Sequence, residues 1–201
     1  MLPIIELVLA FAVSLGLNLI PFAGPSNMVI AAGFAFKLGN ADFTTVLIIG
    51  IAVALGATLA KGIHYGITFF IGDHLNEKRR TTLDTNAAKI KKRAFLLLYL
   101  AAATPIPDEP IVFTLGLMKY SITKFFTAFF LGKLSIAIMG AFAGGKMGNV
   151  VSEWLSPEMM TILSVTLTIA LTVIITVILF KFDLDKLARY VTRKKPSVKY
   201  E

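Results

Sequence analysis

The chain has 201 residues, of which 56% are hydrophobic and only 16% charged, with a formal net charge of +8 and no cysteine. Its mean hydropathy is +0.78. A soluble protein of this size cannot bury so much apolar surface, so the composition excludes a soluble globular enzyme, a disordered protein and a fibrous repeat. The lack of cysteine excludes disulfides, thiolate catalysis and Cys-ligated metal sites. The sequence predicts an all-α integral membrane protein, with a single domain over 1–180 and a basic tail over 181–201.

Four apolar runs are long enough to cross a membrane, which takes about 20 helical residues. They are Leu2–Ile20, Phe43–Gly72, Ile122–Gly148 and Met160–Phe180. The first run lacks the basic start of a signal peptide and carries Glu6 instead. We therefore interpret it as a transmembrane helix that is retained, and we predict four transmembrane helices.

Two further apolar segments, 21–37 and 94–118, are too short or too interrupted to cross. Prolines and glycines mark both segments: Pro21, Pro25 and Gly33 in the first, and Pro105, Pro107, Pro110 and Gly116 in the second. Proline removes a backbone donor and disfavours helix at the residue before it. Irregular backbone at membrane depth is tolerated only inside protein or against a water-filled cavity. Both segments are therefore predicted to be re-entrant helical hairpins.

The basic residues are unevenly distributed along the chain. Of 20 lysines and arginines, seven lie in Lys78–Arg93, two are Lys119 and Lys124, and seven lie in Lys181–Lys199. The positive-inside rule places these segments, including the polar loop 73–93, in the cytoplasm. With four transmembrane helices, the two hairpins then enter from opposite faces and form an inverted repeat. Both termini are predicted to be cytoplasmic, in a multi-pass protein of the cell membrane.

The two halves share a further feature, because each hairpin precedes a long helix with one intramembrane lysine, Lys61 or Lys133. Inverted repeats with broken helices are typical of transporters, whose site lies near the midplane where half-helix ends meet. Glycines recur every four residues in both long helices, at Gly62 and Gly66 and from Gly140 to Gly148. That spacing favours close helix packing, within one chain or in a homodimer.

Two segments of the sequence resemble motifs of a known family. The string Ile20–Asn27, which reads IPFAGPSN and leads to Gly33, resembles the first re-entrant motif of the DedA-like (VTT-domain) membrane proteins. The stretch Ala103–Glu109, followed by Gly116 and Met118, resembles the second motif, and the helix with Tyr65 and Gly66 is similar as well. The resemblance implies movement of lipids between leaflets: phospholipid scrambling, or flipping of polyprenyl-phosphate carriers, with or without proton coupling.

The chain departs from the family pattern in both hairpins. Bacterial members carry an acidic residue in the first hairpin, where this chain has Ser26 and Asn27. They carry arginines around the prolines of the second, where this chain has Thr104, Asp108 and Glu109. Whether lysines take the place of those arginines is left open by the sequence.

Asp108 and Glu109 are the sharpest candidate site residues. A carboxylate at membrane depth costs about 2.5–3.5 kcal/mol on insertion scales, so it normally faces a cavity or a partner. The pair can serve as proton-binding groups. Alternatively, Asp108 caps the half-helix that begins after Pro107, as aspartate commonly does.

The remaining candidates are polar residues of the predicted membrane interior. Lys61 and Lys133 bind a lipid phosphate, neutralise the two acids, or extend to an interface. Ser26 and Asn27, at the start of a half-helix, favour an anion such as phosphate, although capping explains them equally well. His64 lies three positions after Lys61 on one helical face and lines a cavity or bonds a neighbouring carbonyl. Thr104 completes the predicted substrate or proton site.

Several functions are excluded by missing motifs or held as alternatives. The chain has no GxSxG, Walker A or HExxH motif and no His cluster with metal-ligand spacing, so we predict no enzyme, no cofactor and no metal. Nucleic acid is not expected, because no aromatic platform accompanies the basic residues. The predicted partners are membrane lipids with phosphate-bearing headgroups. The alternatives are a proton-driven exporter of small cationic compounds and a non-transporting membrane assembly factor.

Overall fold

The computed structural model describes residues 4–21, 26–39, 42–72, 93–105 and 107–181, with side chains up to 174. Every regular element in these ranges is helical. The helices are α1 (Ile4–Asn18), α2 (Asn27–Leu38), α3 (Phe43–Ile71), α4 (Arg93–Ala102), α5 (Glu109–Leu117), α6 (Ile122–Val151) and α7 (Pro157–Lys181). Pro25, most of the polar loop 73–93 and most of the tail 181–201 lie outside the described residues.

Among the described residues, three helices are by length and composition able to cross a membrane, namely α3, α6 and the first 18 residues of α7. They correspond to three of the four predicted transmembrane helices. The predicted first one, Leu2–Ile20, gives α1, which has 15 residues and a length of about 22 Å at 1.5 Å per residue. That length falls short of the roughly 30 Å hydrocarbon core.

Residues near several helix ends explain why the helices begin and end there. The Ser26 hydroxyl accepts a bond from the Met28 amide at 3.3 Å and caps α2, and Gly39 ends this helix in the left-handed conformation with φ of 57°. The Asp42 carboxylate caps α3 by accepting from the Thr45 amide at 2.9 Å. Between α4 and α5, the chain is broken at the prolines that the sequence singled out, and Pro110 lies in the first turn of α5, where a missing amide donor costs nothing.

The two long helices α3 and α6 pack antiparallel at the centre of the fold. Gly50, near the start of α3, contacts Ile138 in the second half of α6. Gly62, further along α3, lies against Phe126, near the start of α6. Because their contacts run in opposite order, the two helices run in opposite directions.

The helix after each break, α2 or α5, packs on the long helix of the other half and runs parallel to it. Gly140, Gly144 and Gly148 of α6 lie against the backbone of Met28, Ala32 and Phe36 of α2, so closely that a Cβ on any of these glycines would overlap α2. The close packing expected of these glycines thus occurs within one chain. Gly66 differs, since no described atom lies within 4 Å of a Cβ built there.

On the other side, Gly116 of α5 packs against Tyr65 and Thr68 of α3, and Gly72 packs against Leu117. Helix α5 therefore runs parallel to α3, as α2 runs parallel to α6. Because α3 and α6 are antiparallel, α2 and α5 point in opposite directions. This agrees with the predicted opposite orientation of the two broken segments.

Helices α1 and α2 form a hairpin whose two outer ends share one face of the bundle. The Lys37 ammonium, near the end of α2, lies 2.7 Å from the Glu6 carboxylate at the start of α1. Just after α1, the Leu19 carbonyl lies 3.1 Å from His64 Nε2, in the second half of α3. The described part of Leu2–Ile20 is thus a helix antiparallel to α2 and shorter than a complete crossing needs, and the fourth crossing stays a prediction.

Candidate functional site

Four charged side chains meet at the start of α5. Lys61 Nζ of α3 lies 2.6 Å from Glu109 Oε1 and 3.8 Å from Asp108 Oδ1. Lys133 Nζ of α6 lies 2.6 Å from Asp108 Oδ2. We call Lys61, Asp108, Glu109 and Lys133 the charge quartet. The structure therefore brings together four of the eight predicted substrate or proton site residues.

The quartet is buried and electrically balanced. Its members are only 3–6% exposed, and two formal positive charges face two negative ones. Removing charges from water is costly unless each gains a partner with good geometry, and both 2.6 Å contacts provide one. The ammonium of Lys133 also lies 5.2 Å from the centre of the Phe129 ring, where the ring face attracts a cation.

The geometry of the quartet bears on the alternatives that the sequence left open for Asp108 and for the two lysines. Asp108 occupies the N-cap position of α5 but makes no side-chain capping bond, because its carboxylate faces the two lysines instead. The capping interpretation of Asp108 is therefore wrong. Neither lysine extends to an interface, since both ammonium groups end at buried carboxylates. Mutual neutralisation of the lysines and the two acids describes the geometry, whereas binding of a lipid phosphate by the lysines stays a prediction.

The start of α2 carries a neutral counterpart, formed by Ser14, Asn18 and Asn27 around the Val53 carbonyl. The Ser14 hydroxyl donates to the Val53 carbonyl at 2.7 Å, and Asn18 Nδ2 donates to Asn27 Oδ1 at 2.9 Å and to the Ser14 carbonyl at 2.8 Å. All three side chains are buried. We call Ser14, Asn18 and Asn27 the amide cluster.

Sequence analysis found Asn27 but missed its partners Ser14 and Asn18. Their signal was available, since two polar residues four positions apart in an apolar run share one helical face. Ser26, which the sequence linked to an anion, accepts the Met28 amide as a cap. Anion binding at this helix start stays a prediction.

The remaining predicted site residues lie apart from the quartet's ion pairs. His64 Nε2 faces the Leu19 carbonyl at 3.1 Å, whereas its buried Nδ1 has no partner among the described residues. The alternative that His64 bonds a neighbouring carbonyl is therefore met at Nε2. The Thr104 hydroxyl donates to the Ala101 carbonyl at 3.0 Å, within the end of α4.

Four of the predicted hairpin residues lie at or near the two breaks. Pro21 belongs to the turn after α1, Pro105 and Pro107 lie between α4 and α5, and Pro110 lies in the first turn of α5. Gly33 faces Thr168 of α7. Within the described ranges, no group of three or more His, Cys, Asp or Glu side chains is placed to hold a metal ion.

The quartet lies at mid-length of the two long helices, where the short helices begin. Met28, the second residue of α2, contacts Gly140, and Lys133 binds the residue before α5. Seven residues, or about 10 Å of α6, separate these two positions. The amino ends of α2 and α5 therefore lie about 10 Å apart along α6. The start of α2 carries neutral polar side chains, and the start of α5 carries charged ones.

Residues 20–146 match the family model described as the VTT domain. The chain belongs to this VTT-domain, or DedA, family. The match covers well over half of the chain, from the turn after α1 to α6, and contains both proline breaks and the whole quartet. The family is one of membrane proteins that are generally transporter-like rather than enzymatic. Comparison with individually characterised proteins and with solved structures gives no match.

Proposed function

We propose that this VTT-domain protein moves phosphate-bearing lipids between the two leaflets of the cell membrane. The observation that carries the proposal is the charge quartet, which places two lysines inside a bundle of mainly apolar helices. Ionisable side chains at membrane depth are expensive and commonly mark transport pathways. Two ammonium groups are suited to a phosphate that leaves the aqueous interface, because each contributes up to three donors.

In the proposed mechanism, phosphate and carboxylates compete for the same ammonium groups. In the resting protein, Glu109 holds Lys61 at 2.6 Å and Asp108 holds Lys133 at 2.6 Å. A phosphate that reaches the quartet displaces a carboxylate, and the displaced carboxylate takes up a proton rather than remain charged and unpaired. Lipid passage and proton uptake are coupled by this exchange, while the acyl chains stay in the bilayer.

The proposed orientation follows from the helix directions and the basic residues. The ends of α3, α5 and α7 and the starts of α4 and α6 share one face of the bundle. In the sequence, the basic segments Lys78–Arg93 and Lys181–Lys199 adjoin α3, α4 and α7 at these ends, so we place this face in the cytoplasm. Three complete crossings then put the start of α1 on the opposite face. This revises the cytoplasmic amino terminus expected for four crossings, and cytoplasmic labelling of a thiol at Ile5→Cys would contradict it.

The deciding experiment measures leaflet exchange of fluorescent phosphatidylglycerol by the purified protein in liposomes. We expect exchange well above empty liposomes, and a loss of about tenfold or more for Lys61→Met and Lys133→Met, since one lost charge-assisted contact is worth about 1.5–3 kcal/mol. The matched control is Lys37→Met, which breaks the Glu6–Lys37 ion pair at the edge of the fold. No exchange of phospholipid or of a polyprenyl phosphate by the unmodified protein would reject the proposal.

The same variants separate this function from export of cationic compounds. Pairing of both acids with lysines favours an anionic substrate, because the lysines repel a cation that approaches the carboxylates. Efflux of a cationic dye that is lost in Asp108→Asn and Glu109→Gln, together with absent lipid exchange, would favour the exporter. Full biological activity without either transport would favour an assembly factor.

A further inference from the structure

We infer that the groove between α4 and α5 holds one acyl chain of an anionic phospholipid from the cytoplasmic leaflet. This inference rests on the proposed function and extends it from the headgroup to the chain. The groove has a volume of about 250 Å³ and is lined by Ala94, Leu97, Pro110, Ile111, Thr114 and Leu115. It exists because alanine, proline and threonine are too small to fill the space between the two helices.

The chemistry of the lining selects an apolar occupant. Five of the six lining residues are apolar, and the one hydroxyl, that of Thr114, already donates to the Pro110 carbonyl at 2.6 Å. An engineered aliphatic cavity of about 150 Å³ stays dry and binds apolar molecules, so this larger groove suits a short run of methylene groups rather than water. A headgroup would find no hydrogen-bond donor there.

The position of the groove identifies the chain as that of a lipid on its way to the quartet. Its deep end is Pro110, the residue directly after Glu109 of the quartet. Its outer end is Ala94, directly after the exposed Arg93 at the start of α4. A phospholipid of the cytoplasmic leaflet can therefore place its phosphate near Arg93 and its chain along the groove, with the chain pointing toward the buried charges.

The side chains around the groove are consistent with access from the bilayer. Leu96, Leu97 and Leu100 of α4 are 47–58% exposed, so this side of the hairpin is open. An open apolar groove with a charged residue at one end can enclose part of an acyl chain while Arg93 holds the headgroup. We therefore expect saturable binding at the groove, with a preference for anionic headgroups.

The test uses the full-length protein in liposomes with phosphatidylglycerol that carries a photoreactive diazirine in one acyl chain. The labelled fraction is raised at constant total lipid, and crosslinked residues are mapped by mass spectrometry. We expect crosslinks on α4 and α5 to saturate at low label, while those on the largely exposed α7 rise linearly. The same chain on phosphatidylcholine should give weaker groove crosslinking, and Arg93→Gln should reduce the difference between the two lipids.

Two variants fill the groove from opposite sides, so that misfolding of one does not decide the result. Thr114→Phe and Leu97→Trp should each lower saturable crosslinking roughly tenfold, the change expected when about two methylene groups lose their burial. Leu96→Phe, on the same helix outside the lining, is the matched control and should stay at the level of the unmodified protein. Crosslinking that is nowhere saturable, or that both filling variants leave unchanged, would overturn the inference.

Leaflet exchange on the same samples separates this inference from the proposed function. Saturable groove crosslinking without lipid exchange would support a chain-binding groove and reject the transport proposal. Lipid exchange without saturable crosslinking would support the transport proposal and reject the chain-binding groove.

Discussion

The two halves of the bundle have the same plan but opposite chemistry at their breaks. Helices α1, α2 and α3 form a hairpin followed by a long helix, as do α4, α5 and α6. In each half the short helix after the break packs on the long helix of the other half. The break before α2 is closed by the neutral amide cluster, whereas the break before α5 is closed by the charge quartet.

The difference indicates that the amide cluster and the quartet have different roles. Every member of the amide cluster, and the Val53 carbonyl that it binds, belongs to the first half. The quartet joins the halves, since Lys61 belongs to the first half and the other three members belong to the second. The amide cluster therefore stabilises one hairpin, whereas the quartet links two units. In the proposed function, a charged ligand exchanges with the ion pairs of the quartet. Four predictions test this contrast, in order of decreasing effect.

The largest effect is expected when one charge of the quartet is removed. Lys133→Met leaves the Asp108 carboxylate without its 2.6 Å partner and should lower the free energy of unfolding by about 3–5 kcal/mol. The double variant Lys133→Met/Asp108→Asn removes both charges and should recover most of that loss. Denaturant titration in micelles measures both.

The matched control for the quartet is Lys37→Met/Glu6→Gln, which removes a partly exposed ion pair and should cost about 0–1 kcal/mol. If Lys133→Met/Asp108→Asn is as unstable as Lys133→Met alone, the instability of the single variant does not come from the unpaired charge of Asp108.

The second prediction concerns the contact between the halves. Gly144→Ala places a methyl group on the α2 backbone at Ala32 and should destabilise the protein by about 1–3 kcal/mol. Gly66→Ala, where no described atom lies within 4 Å of the new methyl group, should instead stabilise α3 by about 0.5–1 kcal/mol. Thermal unfolding measured side by side checks the opposite signs. Equal effects would mean that helix propensity, and not packing on α2, governs both glycines.

The third prediction separates stability from transport. Asn18→Leu leaves Asn27 Oδ1 without the donor at 2.9 Å and should cost about 1–3 kcal/mol. Because the amide cluster lies within one half, we expect the lipid exchange rate of the folded fraction to stay close to that of the unmodified protein. A loss of exchange as large as that of Lys61→Met would place the amide cluster in the transport path.

The smallest effect is expected at the helix starts. Ser26→Ala removes the hydroxyl that accepts the Met28 amide and should lower stability by about 1 kcal/mol. Ser121→Ala is the matched control, because Ser121 holds the same position before α6 but makes no side-chain capping bond. Equal losses in the two variants would show that the Ser26 cap contributes nothing.

Much of the fold follows from local patterns in the sequence. The apolar runs located the long helices, and the clustered prolines located the breaks, because helix length and missing amide donors act within a few residues. The composition of Leu2–Ile20 predicts a crossing, but the position of such a run also depends on its tertiary contacts, here the His64–Leu19 contact and the Glu6–Lys37 ion pair.

The candidate site divides in the same way. The sequence by itself determined that the chain is a helical membrane protein of the VTT-domain family, and which buried charges required an explanation, because the cost of a charge in an apolar run is independent of the fold. Only the tertiary structure decided that Lys61 pairs with Glu109 and Lys133 with Asp108, and that Ser14 and Asn18 support Asn27. Pairing requires contact within a few ångströms between residues far apart in the chain, and the packing of α3, α5 and α6 brings the quartet's charges together.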